Sequence, residues 1–218
     1  MQIEGSIALV TGANRGIGKA FTEELRLRGA RRVYAAVRDV ASVTDPRVVP
    51  VQLDVTRADR VAAVARELDD VTLVVNNAGV AHAGFPLSAS IDGARQEIET
   101  NYLSLVSLTQ AFAPVLARNG GGGFVNVLSG LSWIALPLLS TYAASKAAAW
   151  NFTNAARIEL NRQSTAVVGV HSGFVDTDLT APLDVQKISA ATVVAAALDA
   201  LEAGEPRALR PDLRTPHQ

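Results

Sequence analysis

Residues 6–18 read SIALVTGANRGIG, an apolar run that ends in a glycine-studded turn. Residues 6–11 have the composition of a buried strand, and a helical pattern follows from about 16 to 28, with Gly29 just past its end. Glycines at 12, 16 and 18 between a strand and a helix allow a tight turn. Such a turn lets the backbone approach a pyrophosphate at the helix N-terminus, where N–H groups and the helix dipole favour negative charge. Glycines also serve ordinary strand-to-helix turns, so this stretch alone leaves both readings open.

The pattern repeats along the chain. Strands are expected at 31–37, 47–53, 71–76, within 120–129 and at 165–171, with a weak one near 207–210. Pro50 marks the third strand as a sheet edge. Helices are expected at 57–68, 93–117, 141–161 and 189–203. Strands alternating with helices at this spacing mean βαβ units, hence an α/β fold with a doubly wound parallel sheet and helices on both faces. Ligands then bind beyond the carboxyl ends of the strands.

The chain has 218 residues, and no linker or repeat divides it, so one domain spanning 1–218 is expected. Its net charge of -1, from 20 basic and 21 acidic residues, offers no basic surface for nucleic acid. Cys is absent and there are three His, at 82, 171 and 217, so neither a thiolate nor a histidine-built metal site is expected. Five residues ahead of the first strand leave no room for a signal peptide. The charge-free stretch 119–145 is too rich in Gly, Asn, Pro and Ser to span a membrane. A cytoplasmic protein is expected.

NNAG, residues 76–79, follows the fourth strand and borders the same crevice, unless it merely ends the strand. Tyr142 and Lys146 are four apart on a helix and share a face, and Ser129 precedes Tyr142 by thirteen residues. A tyrosine hydroxyl with a pKa near 10 is a poor acid–base group. Lowering it to ~7 takes about 4 kcal/mol of preferential phenolate stabilisation, which a neighbouring ammonium can help supply. A core tyrosine beside a surface lysine fits the same spacing.

Taken in order, TGANRGIG, NNAG, Ser129, YAASK and HSGFVDT resemble a short-chain dehydrogenase/reductase over about residues 6–205. The resemblance implies a Rossmann-like sheet of about seven strands in the order 3-2-1-4-5-6-7. It implies Tyr142 as general acid/base, Lys146 as its partner, Ser129 as the group that orients a substrate carbonyl, and Asn101 as the holder of a relay water. Cofactor contacts are implied at Gly12, Asn14, Arg15, Gly16, Ile17, Gly18, Arg38, Asp54, Val55, Asn76, Ala78, Gly79, Tyr142, Lys146, Gly173, Val175 and Thr177. Ser172 stands where the family usually has proline, which leaves that loop's φ less restricted.

Val37 at the end of the second strand is followed by Arg38, and Arg15 precedes Gly16. Two arginines at the adenosine ribose suit a 2′-phosphate, so NADP(H) is expected over NAD(H). The alternative is that both are solvated and Asp39 serves the ribose. Ser129, Leu131, Trp133, Leu138 and Phe174 form the expected substrate pocket, with His82 and Leu139 nearby. A small hydrophobic carbonyl compound or alcohol follows. The short substrate loop, about 178–188, suggests an open pocket, and a polar tail runs from 211 to 218. The long helices suggest a homodimer or homotetramer. A non-catalytic NADP-binding sensor on the same fold is the alternative to an NADP(H)-dependent carbonyl reductase.

Overall fold

In strand β1 (Ile7–Thr11) every residue is buried, and alternate side chains serve opposite faces. Ala8 and Val10 pack with Phe21, Leu25, Val194 and Leu198, while Ile7 and Leu9 pack with Val61, Val64, Leu108 and Phe112. A strand buried on both sides reads as a continuous apolar run. The computed structural model describes residues 1–178, 180–181 and 184–209. The expected tail at 211–218 and three residues of the 178–188 loop lie outside them.

The remaining strands are β2 (Arg32–Val37), β3 (Val49–Gln52), β4 (Leu73–Asn76), β5 (Gly122–Val127), β6 (Thr165–His171) and β7 (Arg207–Leu209). All pair in parallel in the order β3-β2-β1-β4-β5-β6-β7, the expected Rossmann-like order. Pro50 sits on the edge strand β3, where its missing N–H interrupts no ladder within the sheet. Helices α1 (Gly16–Leu27) and the last helix, α6 (Ala190–Ala203), cover one face; α2 (Ala58–Glu67), α4 (Ser104–Arg118) and α5 (Ser140–Leu160) cover the other.

One expected helix changes its winding along its length. The segment read as continuous over 93–117 is α3 (Ile91–Glu97), a π-helical stretch Ile98–Leu103, and α4. The Ser104 N–H reaches back five residues to the Glu99 carbonyl. Such wide turns concentrate at functional sites, and this one holds Asn101. The chain reversal between β1 and β4 opens a crevice of about 480 Å³ at the carboxyl ends of the strands.

Candidate active site

The glycine turn is built for close approach. Gly12 and Gly16 adopt φ of +64° and +52°, a region that side chains with a Cβ avoid. Helix α1 starts after Arg15 with no side-chain cap, so its first N–H groups face the crevice unpaired by a cap. This donor set, at the positive end of a helix dipole, suits a pyrophosphate. Asn14, Arg15, Gly16 and Ile17 all line the crevice. Gly18 does not: it lies under the turn, where a Cβ would run into the Gly12 carbonyl and come within 2.5 Å of Asn77 Nδ2. Its part is to let the loop close on itself.

Asn77 binds this loop to the end of β4. Its Nδ2 donates to the Thr11 carbonyl at 2.8 Å and the Gly12 carbonyl at 3.2 Å, and its N–H donates to Thr11 Oγ1 at 3.0 Å. Thr11 Oγ1 also accepts from the Ala78 N–H and donates to the Val75 carbonyl. Asn76, expected at the cofactor wall, points instead into the interior, where Nδ2 donates to Asn126 Oδ1 at 2.8 Å. It still belongs to β4, so strand alternation turns it away from the crevice that Asn77, Ala78 and Gly79 line. Sequence reading missed Asn77 and Thr11; their signal was the doubled asparagine and the threonine that ends the first strand.

At the far end the crevice is lined by Arg38, Asp39, Ser42, Asp54, Val55 and Thr56. Asp54 Oδ1 accepts from the hydroxyl and N–H of Thr56, and these bonds, aided by Arg38 and Arg57, hold its carboxyl below the usual range against the effect of burial. Asp39 caps the Ala41 N–H at 3.0 Å, so one carboxylate oxygen is already engaged. Arg15 lines the crevice and pairs with Asp178 at 3.2 Å, both side chains being exposed. Gly173, Val175 and Thr177 complete the wall opposite the glycine loop.

Ser129, Tyr142 and Lys146 meet at the other end of the same crevice. Lys146 is buried, and Nζ donates to the Val127 carbonyl at 2.8 Å, which leaves two of its three N–H groups to face the crevice. Burial pushes it down to about 8. Burial pushes the Tyr142 phenol up to about 12; the Ser129 hydroxyl beside it works the other way, and the charge of Glu97 adds to the rise. Asn101 stands behind this corner. Its Oδ1 accepts from the Val80 N–H, and its Nδ2 donates to the Val80 carbonyl and Ser145 Oγ, each at 2.9 Å. Both amide hydrogens of Asn101, expected as the holder of a relay water, are thus engaged within the protein, and Asn101 lies behind the residues that line the crevice.

The family model for short chain dehydrogenases matches residues 6–187. The chain is a short-chain dehydrogenase. A 3-oxoacyl-(acyl-carrier-protein) reductase of Vibrio cholerae is 30% identical over 216 residues, covering 95% of this chain and 87% of that protein. A short chain dehydrogenase of Burkholderia cenocepacia, solved in complex with NADP, superposes with a TM-score of 0.91 at 43% identity, covering 95% of this chain and 88% of that one. A short-chain dehydrogenase of Sphingobium yanoikuyae, solved with NADPH, superposes with a TM-score of 0.86 at 25% identity, covering 96% and 89%. The chain is therefore an oxidoreductase of this family.

The residues expected at the substrate pocket of this dehydrogenase fall into two groups. Ser129 lines the crevice, but Leu131, Trp133, Leu138 and Phe174 do not. Trp133 stacks on His171 at 4.1 Å between ring centroids, and Trp150 meets the same imidazole edge-on at 4.6 Å. His171 is fully buried, its Nδ1 lies 3.2 Å from the Ser129 carbonyl oxygen, and Nε2 has no partner. The Gly84 N–H donates to the Leu138 carbonyl at 2.8 Å, and the Ile188 N–H donates to the Phe174 carbonyl at 3.0 Å. These residues brace the walls around Ser129 and the start of α5. His82 is exposed, with its ring against Gly93. Among the described residues no helix is long and apolar enough to cross a membrane.

Proposed function

We propose that this dehydrogenase interconverts a small hydrophobic ketone or aldehyde and its alcohol, using NADP(H). The observation that carries the reading is that one crevice joins the glycine loop to Ser129, Tyr142 and Lys146. Two structurally similar dehydrogenases were solved with NADP or NADPH. The free N–H groups of α1 and the arginines at 15 and 38 suit the phosphates, Asp54 the adenine, and Ala78, Gly79, Val175 and Thr177 the rest of the cofactor wall. When bound, the nicotinamide supplies or accepts hydride. Ser129 donates a hydrogen bond to the substrate oxygen and so orients the carbonyl. Tyr142 gives that oxygen its proton in reduction and takes it back in oxidation. Lys146 is charged at neutral pH and favours the phenolate once the proton has gone. Its two remaining N–H groups suit a ribose hydroxyl.

Exposed Leu103 and Ile158, on the helices beside partly buried Tyr102 and Phe152, support a homodimer or homotetramer. A cytoplasmic location fits the composition. The test is NADPH consumption against a panel of uncharged ketones and aldehydes. Tyr142→Phe is expected to bind NADPH like the wild type and to lose turnover by about 10²- to 10⁴-fold. Equal turnover in both proteins would reject the mechanism. Tight NADPH binding with no wild-type turnover on any carbonyl would favour a cofactor-binding sensor.

A further inference from the structure

Among the described residues, Glu97 and Lys146 are the only buried Asp, Glu, Lys or Arg side chains. Both belong to the surroundings of Tyr142. Lys146 Nζ lies 5.7 Å from the Tyr142 ring centroid, and a negative charge on Glu97 raises the Tyr142 pKa. Glu97 ends α3, where the helix widens into the π-helical stretch. Its Oε1 accepts from the His82 N–H at 2.7 Å, while Oε2 is buried with no hydrogen-bond partner. An unpartnered buried carboxylate oxygen is costly and calls for a reason.

The geometry around it forms one connected clamp. Four residues on, Asn101 holds the N–H and carbonyl of Val80, so two side chains of one continuous helical segment grip residues 80–82. Two residues further, the Gly84 N–H donates to the Leu138 carbonyl, and the Gly84 carbonyl accepts from Ser140 Oγ in the first turn of α5. Asn101 also donates to Ser145 Oγ, which in turn donates to the Tyr142 carbonyl at 2.7 Å. The loop gripped by Glu97 is thereby fastened to the helix turn that carries the phenol. We propose that Glu97 is a positioning residue for the proton step, fixing the 80–84 loop against α5 and setting its buried negative charge against that of Lys146 at Tyr142. This inference rests on the reading of Tyr142 as the acid–base group.

The consequence is directional. A negative charge disfavours a phenolate nearby, as Lys146 favours it. Glu97 thus adds to burial in keeping the phenol protonated, the form that gives its proton in carbonyl reduction. The titratable groups at this corner are Lys146 from α5 and Glu97 from α3, with the Ser129 hydroxyl beside the phenol; the exposed His82 imidazole lies against Gly93 instead.

The test separates charge from clamp. Glu97→Gln keeps an oxygen to accept the His82 N–H while removing the charge and replacing Oε2 with an amide NH2. The full chain is labelled with ¹³C at tyrosine Cζ, and Tyr142→Phe assigns one of the three tyrosine signals. The Tyr142 midpoint is expected to be lower in Glu97→Gln than in wild type. Equal midpoints, or a signal protonated to the end of the titration in both proteins, would overturn the proposal. Glu97→Leu, which removes both charge and acceptor, is expected to raise KM as well as shift the midpoint. The resonance titration needs no substrate, so absence of wild-type turnover would reject the oxidoreductase reading alone.

Discussion

The Arg15 guanidinium donates to Asp178 at 3.2 Å, so one of the two arginines suited to a 2′-phosphate is paired with an acid 163 residues away. A phosphate must compete with that carboxylate for Arg15. The pair is exposed, and exposed pairs contribute at most about 1 kcal/mol. Asp178→Asn is therefore expected to tighten NADPH binding by up to about fivefold and leave NADH unchanged. Arg38→Ala is expected to weaken NADPH about 10- to 100-fold, the worth of a charge-assisted bond, with little effect on NADH. Energy transfer from Trp133 and Trp150 to the dihydronicotinamide measures both constants. Equal losses for the two cofactors would contradict the clamp.

Asn77 predicts how the glycine loop fails. Asn77→Ala leaves the Thr11 and Gly12 carbonyls without this donor, at a cost of about 1–3 kcal/mol of stability. Cofactor affinity is expected to fall with it, because the two carbonyls flank the turn. Gly18→Ala is expected to abolish cofactor binding by forcing the Gly12 carbonyl aside, while circular dichroism still shows a folded chain. Urea midpoints and cofactor titration of the two variants decide the matter. Unchanged affinity in Gly18→Ala would mean the loop has room that its geometry denies.

His171 predicts an acid limb of stability. Burial, with Arg207 and Arg157 adding, pushes its imidazole down to about 4 in spite of the bond to the Ser129 carbonyl. Between the unfolded value near 6.5 and the folded value, the unfolded chain binds the extra proton, so stability falls as pH falls. The full effect is roughly 3 kcal/mol from this group, complete near pH 4. Urea denaturation of wild type and His171→Phe from pH 7 to pH 4 reads the difference in slope. Parallel curves would show that the imidazole protonates in place.

Lys146 predicts the pH dependence of cofactor affinity. Burial brings its ammonium down to about 8, so in the free protein its charge is lost as pH rises through that value. Binding of a polyanionic cofactor favours the charged form, and by reciprocity raises the lysine pKa. NADPH dissociation constants are expected to rise between pH 8 and pH 9.5, by up to about tenfold per unit. Lys146→Met is expected to bind weakly with no such rise. A wild-type constant independent of pH across this range would exclude Lys146 from the cofactor's electrostatics.

Much of the fold was legible because its signals are local. A buried parallel strand reads as an apolar run, a helix as a period of 3.6, and a glycine turn as three residues that tolerate what others do not. The placement of Tyr142 and Lys146 on one face is a property of the helix itself. The helix expected over 93–117 runs unbroken from Ile91 to Arg118, and only its wide turn at Ile98–Leu103 left no mark in the hydrophobic pattern.

By itself, the sequence determined the order of strands and helices, the glycine turn and the Tyr142–Lys146 pair. Each depends on backbone preference or on spacing within a single element. Only the tertiary structure decided that Asn77 and not Asn76 braces the turn, that Trp133 covers His171 instead of lining the crevice, that Glu97 is buried behind residues 80–82, and that Arg15 meets Asp178. Those outcomes join segments distant in the chain. They depend on where a strand ends, which face a helix turns inward, and which polar group is left to satisfy another once the core has closed.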